Sequence, residues 1–271
     1  MSSRIAQTFI GLNGSAFIPF FTAGDPDIDT TAALVQEAGR CGADLIEIGM
    51  PFSDPIADGP VIQASYFRAL EKGFKVAQAF ELVVQLRTAG FEKPMVSMVS
   101  ATLVYKYGVA AFFARAKECG YDGLIIPDLP VGYEGDAVEQ ARKHGLDLIF
   151  LCAPTTTPER RELIAKRSTG FLYYISIAGI TGVRAALPQD LEENVLDLQR
   201  RTKTPVCVGF GISTPAQASA VAKIAKGAII GSALVRCVAE LTQQGVRREV
   251  LVKEIGAQVN ALAHAVHGAR G

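Results

Sequence analysis

Short apolar runs recur along the chain, and a longer stretch of mixed polarity follows most of them. The runs cover residues 16–20, 44–48, 95–99, 123–126, 147–151, 171–175, 206–208 and 228–230. Within each run the apolar character is nearly continuous, not alternating. That pattern belongs to strands covered on both faces. Several intervening stretches read as amphipathic helices, at residues 30–41, 109–119, 134–144 and 158–166. Residues 61–90 hold enough material for two more. A last helix follows Val246, with Val250, Ile255 and Val259 at helical spacing, before a loose Gly-Ala-Arg-Gly end.

Strand–helix alternation implies parallel pairing through right-handed crossovers. Eight runs fit a closed (β/α)₈ TIM barrel, which uses all of them as strands. An open doubly wound sheet normally has fewer strands and a nucleotide fingerprint near its start. No Gly-x-Gly-x-x-Gly and no Walker loop is present. No linker-like stretch divides the chain. The expectation is a single TIM-barrel domain over residues 1–271, close to the roughly 250 residues such a barrel needs.

Composition narrows the partners. Twenty-seven basic residues balance twenty-seven acidic ones. A net charge of zero gives no reason to expect nucleic acid or an anionic membrane, so an anionic ligand must be caught by a local site. Five scattered cysteines, with no Cys-x-x-Cys pair, read as small core hydrophobes in a reducing compartment. The first residues lack a signal-peptide core, and no apolar run reaches the roughly 18 residues of a membrane span. A soluble, cytoplasmic protein is expected.

Active sites of such barrels lie at the carboxyl ends of the strands. Glu47 interrupts an apolar strand near that end. Pointing into the mouth, it would be a desolvated carboxyl with a raised pKa, suited to general acid–base work. Facing a helix, it would be an ion-paired strand glutamate. The following loop carries three prolines, Asp54 and Asp58. Asp54 reads mainly as a turn cap. Asp58, beside Gly59-Pro60, reads equally as a helix-entry cap or as a ligand contact.

Glycine clusters follow the sixth, seventh and eighth runs: Gly179-Ile180-Thr181-Gly182, Gly209-Phe210-Gly211 and Gly231-Ser232. Glycine lets backbone amides approach a ligand, and Gly231-Ser232 opens a short helical stretch whose dipole favours an anion. Phosphate-binding loops after strands 6, 7 and 8 are therefore expected. Phe20, Leu151, Tyr173 and Phe210 lie where they would line a flat apolar slot for an aromatic group. The three histidines lie in helices or the tail, and no lysine ends a strand. A His-based triad, a metal site and a Schiff-base aldolase are all disfavoured.

Five segments carry a family resemblance. They are Pro19-Phe20-Phe21-Thr22-Ala23-Gly24-Asp25-Pro26, the stretch from Glu47 to Pro60, Pro127-Asp128-Leu129-Pro130, Gly179-Ile180-Thr181-Gly182 and Gly209-Phe210-Gly211-Ile212-Ser213. In order and spacing they resemble the tryptophan synthase α-subunit family. The resemblance implies a carbon–carbon lyase that cleaves indole-3-glycerol phosphate by a retro-aldol reaction. It assigns the proton transfers to Glu47 and charge stabilisation to Asp58. It also implies phosphate held by Gly182, Gly211, Gly231 and Ser232, an indole slot of Phe20, Leu151, Tyr173 and Phe210, and a lid containing Thr181. It implies no cofactor and no metal in this chain, and an α₂β₂ assembly with a β subunit that carries pyridoxal phosphate and takes the indole.

Two segments depart from the family pattern. Ser100-Ala101-Thr102-Leu103 stands where a Tyr-Asn-Pro-like loop is frequent, and Ile177 where arginine is frequent. The first departure leaves a stand-alone lyase that releases free indole as the alternative. An isomerase of another phosphate sugar would not need the aromatic slot. A non-catalytic, partner-binding barrel would not need Glu47 and Asp58.

Overall fold

A computed structural model of the chain describes residues 2–175, 190–209 and 211–270. Its strands are β1 (Ala16–Thr22), β2 (Ile46–Gly49), β3 (Met95–Met98), β4 (Gly123–Ile125), β5 (Asp147–Ile149), β6 (Leu151–Cys152), β7 (Leu172–Ile175), β8 (Val206–Gly209) and β9 (Gly227–Ile230). Neighbouring strands pair in parallel, in the order β5-β4-β3-β2-β1-β9-β8-β7-β6. The two ends of that order are one run of chain. Phe150 separates β5 from β6 because its amide turns to the Ser168 hydroxyl (3.1 Å), while its carbonyl still accepts Tyr173 N (3.1 Å). The eight expected strands thus form a ring that closes at Phe150, a (β/α)₈ TIM barrel.

The helices are α1 (Arg4–Gly11), α2 (Ile28–Arg40), α3 (Pro60–Glu71), α4 (Val76–Thr88), α5 (Ala101–Tyr107), α6 (Val109–Cys119), α7 (Ala137–His144), α8 (Pro158–Arg167), α9 (Leu191–Arg201), α10 (Pro215–Ile224), α11 (Ser232–Gln243) and α12 (Arg248–His267). Helices α1, α5, α9 and α10 were not among those named from sequence, although strand–helix alternation implied helices between the strands. The chain end was expected to be loose, yet Gly268–Arg270 forms one further 3₁₀ turn.

Strand alternation sorts side chains into two cores. Ala16, Ile18 and Phe20 of β1 point into the barrel with Leu45, Val96 and Ile125. Phe17 and Phe21, one residue out of phase, join Ile46 and Ile48 in the outer layer under the helices. Both faces of each strand are therefore apolar, which explains the unbroken runs.

Buried aspartates brace the amino ends of the strands. Asp44 accepts Phe17 N (2.8 Å) and meets His267 Nε2 of α12 (2.8 Å). Asp122 accepts Met95 N (2.9 Å) and pairs with Arg87 (2.6 Å) and Arg4 (2.7 Å). That end serves stability in this fold. Helix α1 closes it, placing Ile5 and Phe9 against the inner core.

Candidate active site

Glu47 lies on β2 between Ile46 and Ile48, which face outward. It therefore shares the inward face with Leu45 and Gly49, in register with Phe20 of β1 and Val96 of β3. The carboxyl is buried, and among the described residues neither oxygen has a hydrogen-bond partner. Among the described residues no cation pairs with it, which speaks against the ion-paired reading. Loss of water, and secondarily the charge of Asp58, pushes its pKa up to about 8. At neutral pH it holds its proton.

The loop after β2 brings Asp58 to the same mouth. Asp58 N donates to Pro55 O (3.1 Å), and Gln63 Nε2 ties Asp58 O (2.8 Å) and Pro55 O (3.3 Å) to the start of α3. The N-cap of α3 is Gly59, with Pro60 following, and no side chain caps it. Asp58 is therefore not the helix cap. It is half-buried, and desolvation followed by the charge of Asp128 lifts its pKa to about 7. Asp54, expected to cap a turn, is exposed and makes no side-chain hydrogen bond among the described residues.

A cleft of about 410 Å³ opens above these carboxyls. Phe20, Glu47, Asp58 and Tyr173 form part of its wall, and Gly211, Gly231 and Ser232 form another part. Gly231 is the N-cap of α11, which runs twelve residues and is longer than the short stretch expected. No side chain caps it among the described residues, so its first amides and dipole face the cleft. Gly211 has φ +80°, a conformation that favours glycine. Acidic groups and an anion-favouring helix end thus line one cleft.

Four apolar neighbours were not foreseen. Ile62, Met98, Ile212 and Ile229 complete the lining. Ile62 stands four residues after Asp58, so helical spacing held that signal. Met98 ends β3, as Glu47 nearly ends β2. Leu151 does not line the cleft; it packs on the inner core and lies in register with Tyr173. Thr181, Gly182, Phe210 and the Ile177 departure fall outside the described residues. Gly49 marks a close approach. A Cβ there would lie 2.7 Å from the Tyr66 hydroxyl and would also strike the Phe20 ring edge.

Ser100 caps α5, and Asp128 accepts both Ser100 Oγ (2.7 Å) and Ala101 N (2.7 Å). Among the described residues, no three His, Cys, Asp or Glu side chains gather as metal ligands, and no helix is long and apolar enough to cross a membrane.

Comparison with known proteins agrees with this geometry. A family model described as "Tryptophan synthase alpha chain" matches residues 8–267. The chain is 49% identical to a protein of that name from Rhodopirellula baltica over 240 residues, covering 88% of this chain and 86% of the relative. It is 42% identical to the one from Thermoanaerobacter sp., covering 96% and 98%. Among solved structures, tryptophan synthase subunit alpha from Legionella pneumophila superposes with a TM-score of 0.90 at 34% identity, covering 99% of this chain and all of that one. A Mycobacterium tuberculosis tryptophan synthase chain gives 0.88 at 33%, covering 98% and 99%.

Proposed function

The chain belongs to the tryptophan synthase alpha chain family, and from that premise we propose that Glu47 and Asp58 carry its lyase chemistry. The reaction is the retro-aldol cleavage of indole-3-glycerol phosphate to indole and glyceraldehyde 3-phosphate, a step in tryptophan biosynthesis. The observation that carries the assignment is the pair of desolvated carboxyls in an apolar cleft that also holds a helix N-terminus.

Glu47 begins as the neutral acid, as its raised pKa requires. It gives its proton to indole C3, which turns the ring into an iminium-like electron sink. The resulting carboxylate takes the proton of the adjacent glycerol hydroxyl. The C–C bond electrons flow into the ring, the aldehyde forms, and Glu47 ends protonated as it began. Asp58, as a carboxylate, accepts the ring N–H and stabilises its developing positive charge. Tyr173 and Phe20 bound the ring, and Phe210 completes the slot. The amides of Gly182, Gly211, Gly231 and Ser232 hold the phosphate, and Thr181 belongs to a closing lid.

One catalytic barrel spans the chain and needs no cofactor of its own. A β subunit carrying pyridoxal phosphate receives the indole, in an α₂β₂ assembly in the cytoplasm. Exposed Ile56, Tyr105 and Tyr133, on the segments after β2, β3 and β4, support docking at the barrel mouth.

Indole release from indole-3-glycerol phosphate, followed with the purified chain alone and with a β subunit, tests the function. We expect cleavage in both, at least about tenfold faster with the partner, a coupling within the usual allosteric range. Equal high activity alone favours the stand-alone lyase, a reading that the Asp128-anchored start of α5 leaves open. No cleavage in either case overturns the function.

A further inference from the structure

We propose that Tyr66 is a positioning residue for Asp58: with substrate bound, its hydroxyl donates a hydrogen bond to the Asp58 carboxylate. This inference rests on the role given to Asp58 above.

The placement follows from helix geometry. Asp58, Ile62 and Tyr66 are four residues apart, so they share one side of the entry to α3. Tyr66 is only 2% exposed and packs with Phe20, Ile62 and Met98 in the inner core. Its hydroxyl lies beside Gly49, at the mouth, two residues beyond Glu47 on the same inward face. Tyr66 and Asp58 together line a second cavity of about 300 Å³, which shares Asp58 and Met98 with the substrate cleft.

The charges around Asp58 make a donor necessary. Glu47 faces it from β2, Asp128 from the segment after β4, Asp54 from its own loop, and the phenols of Tyr66 and Tyr173 from α3 and β7. No Lys, Arg or His lines either cavity among the described residues. Among the described residues the carboxylate is therefore left to neutral donors. Ser100 already donates to Asp128, and Ser232 is the first residue of α11, in the stretch assigned to the phosphate. No side-chain hydrogen bond engages the Tyr66 hydroxyl among the described residues, and Tyr66 lines the same cavity as Asp58, so the hydroxyl can turn to it. Burial, then the charges of Asp58 and Glu47, push its pKa well up, so it stays protonated as a donor. A hydrogen bond to the charged form lowers the pKa of a carboxyl.

The test is Tyr66→Phe, which keeps the ring and removes only the donor. We expect the ratio of variant to wild-type kcat to fall about tenfold at pH 6 and to stay within about twofold at pH 9, because one pKa unit is a factor of ten. KM should not move. In an Asp58→Asn background the same change should have no further effect, since Tyr66 acts through Asp58. A loss uniform in pH, a wild-type profile, or an added loss on Asp58→Asn overturns the inference while leaving the role of Asp58 intact. Wild-type turnover in Asp58→Asn alone removes that role itself and the inference with it.

Discussion

Glu47→Gln lowers kcat for indole release by at least about a thousandfold, within the range that positioned acid–base groups contribute. The amide keeps the shape of the carboxyl but can neither give C3 a proton nor take one from the glycerol hydroxyl. No hydrogen bond or ion pair is lost, because neither Glu47 oxygen has a partner among the described residues. The fold therefore survives, and stability separates the two effects. A carboxyl raised from 4.5 to about 8 retains in the folded state a proton that the unfolded chain releases. Wild-type stability then falls as pH rises from about 4.5 through about 8. Gln removes that penalty. The variant unfolds at equal or higher urea than wild type at pH 7, and its advantage grows toward pH 8. Urea titrations at several pH values, beside an indole assay, check both halves. Unfolded protein, or turnover near that of wild type, contradicts the assignment.

Asp58→Asn is the second large effect. Its carboxylate meets the ring N–H most strongly when the ring carries positive charge. A contact made mainly in the transition state lowers kcat and kcat/KM together. The expected loss is about a hundredfold or more, the scale of losing one electrostatic stabiliser. Because Gly59 and not Asp58 caps α3, the helix keeps its start and the thermal midpoint stays within a few degrees. Steady-state kinetics and a thermal melt check this. Collapse of the fold, or a raised KM with kcat unchanged, would place Asp58 in structure or in simple binding.

The barrel was legible because each strand is apolar on both faces, so no phase had to be guessed. The start of β2, given as residue 44, was early, since Asp44 turns to Phe17 N before the ladder begins. Helix α1 went unseen because it precedes the first run, and only Ile5 and Phe9 mark its inward face. Helix α5 is held by Ser100 and by Asp128, a partner twenty-eight residues away, which local propensity does not show.

Glu47 stood out as a charge in an apolar strand. Sequence alone also allowed an ion-paired residue, and the inward face of β2, with no cation pairing with Glu47 among the described residues, favours the mouth-facing carboxyl. Asp58 was ambiguous because its neighbours are turn formers; the cap at Gly59 removes the helix-cap reading. Tyr66 was missed because an aromatic on a helix is ordinarily core. Its importance depends on which turn of α3 faces the mouth, which is fixed by packing on Phe20 and Gly49. Leu151 was placed correctly on its strand, where it sits beside Tyr173 of β7, but it is not part of the cleft wall.

The proton that Glu47 moves to indole C3 can be followed directly. Indole incubated in D₂O with the protein exchanges its C3 hydrogen for deuterium whenever the enzyme protonates that carbon, and proton NMR reads the loss of signal. Wild type should catalyse the exchange, and Glu47→Gln should slow it by the same thousandfold or so as cleavage. Exchange at the wild-type rate in Glu47→Gln would show that another group delivers the proton and would contradict the central role given to this carboxyl.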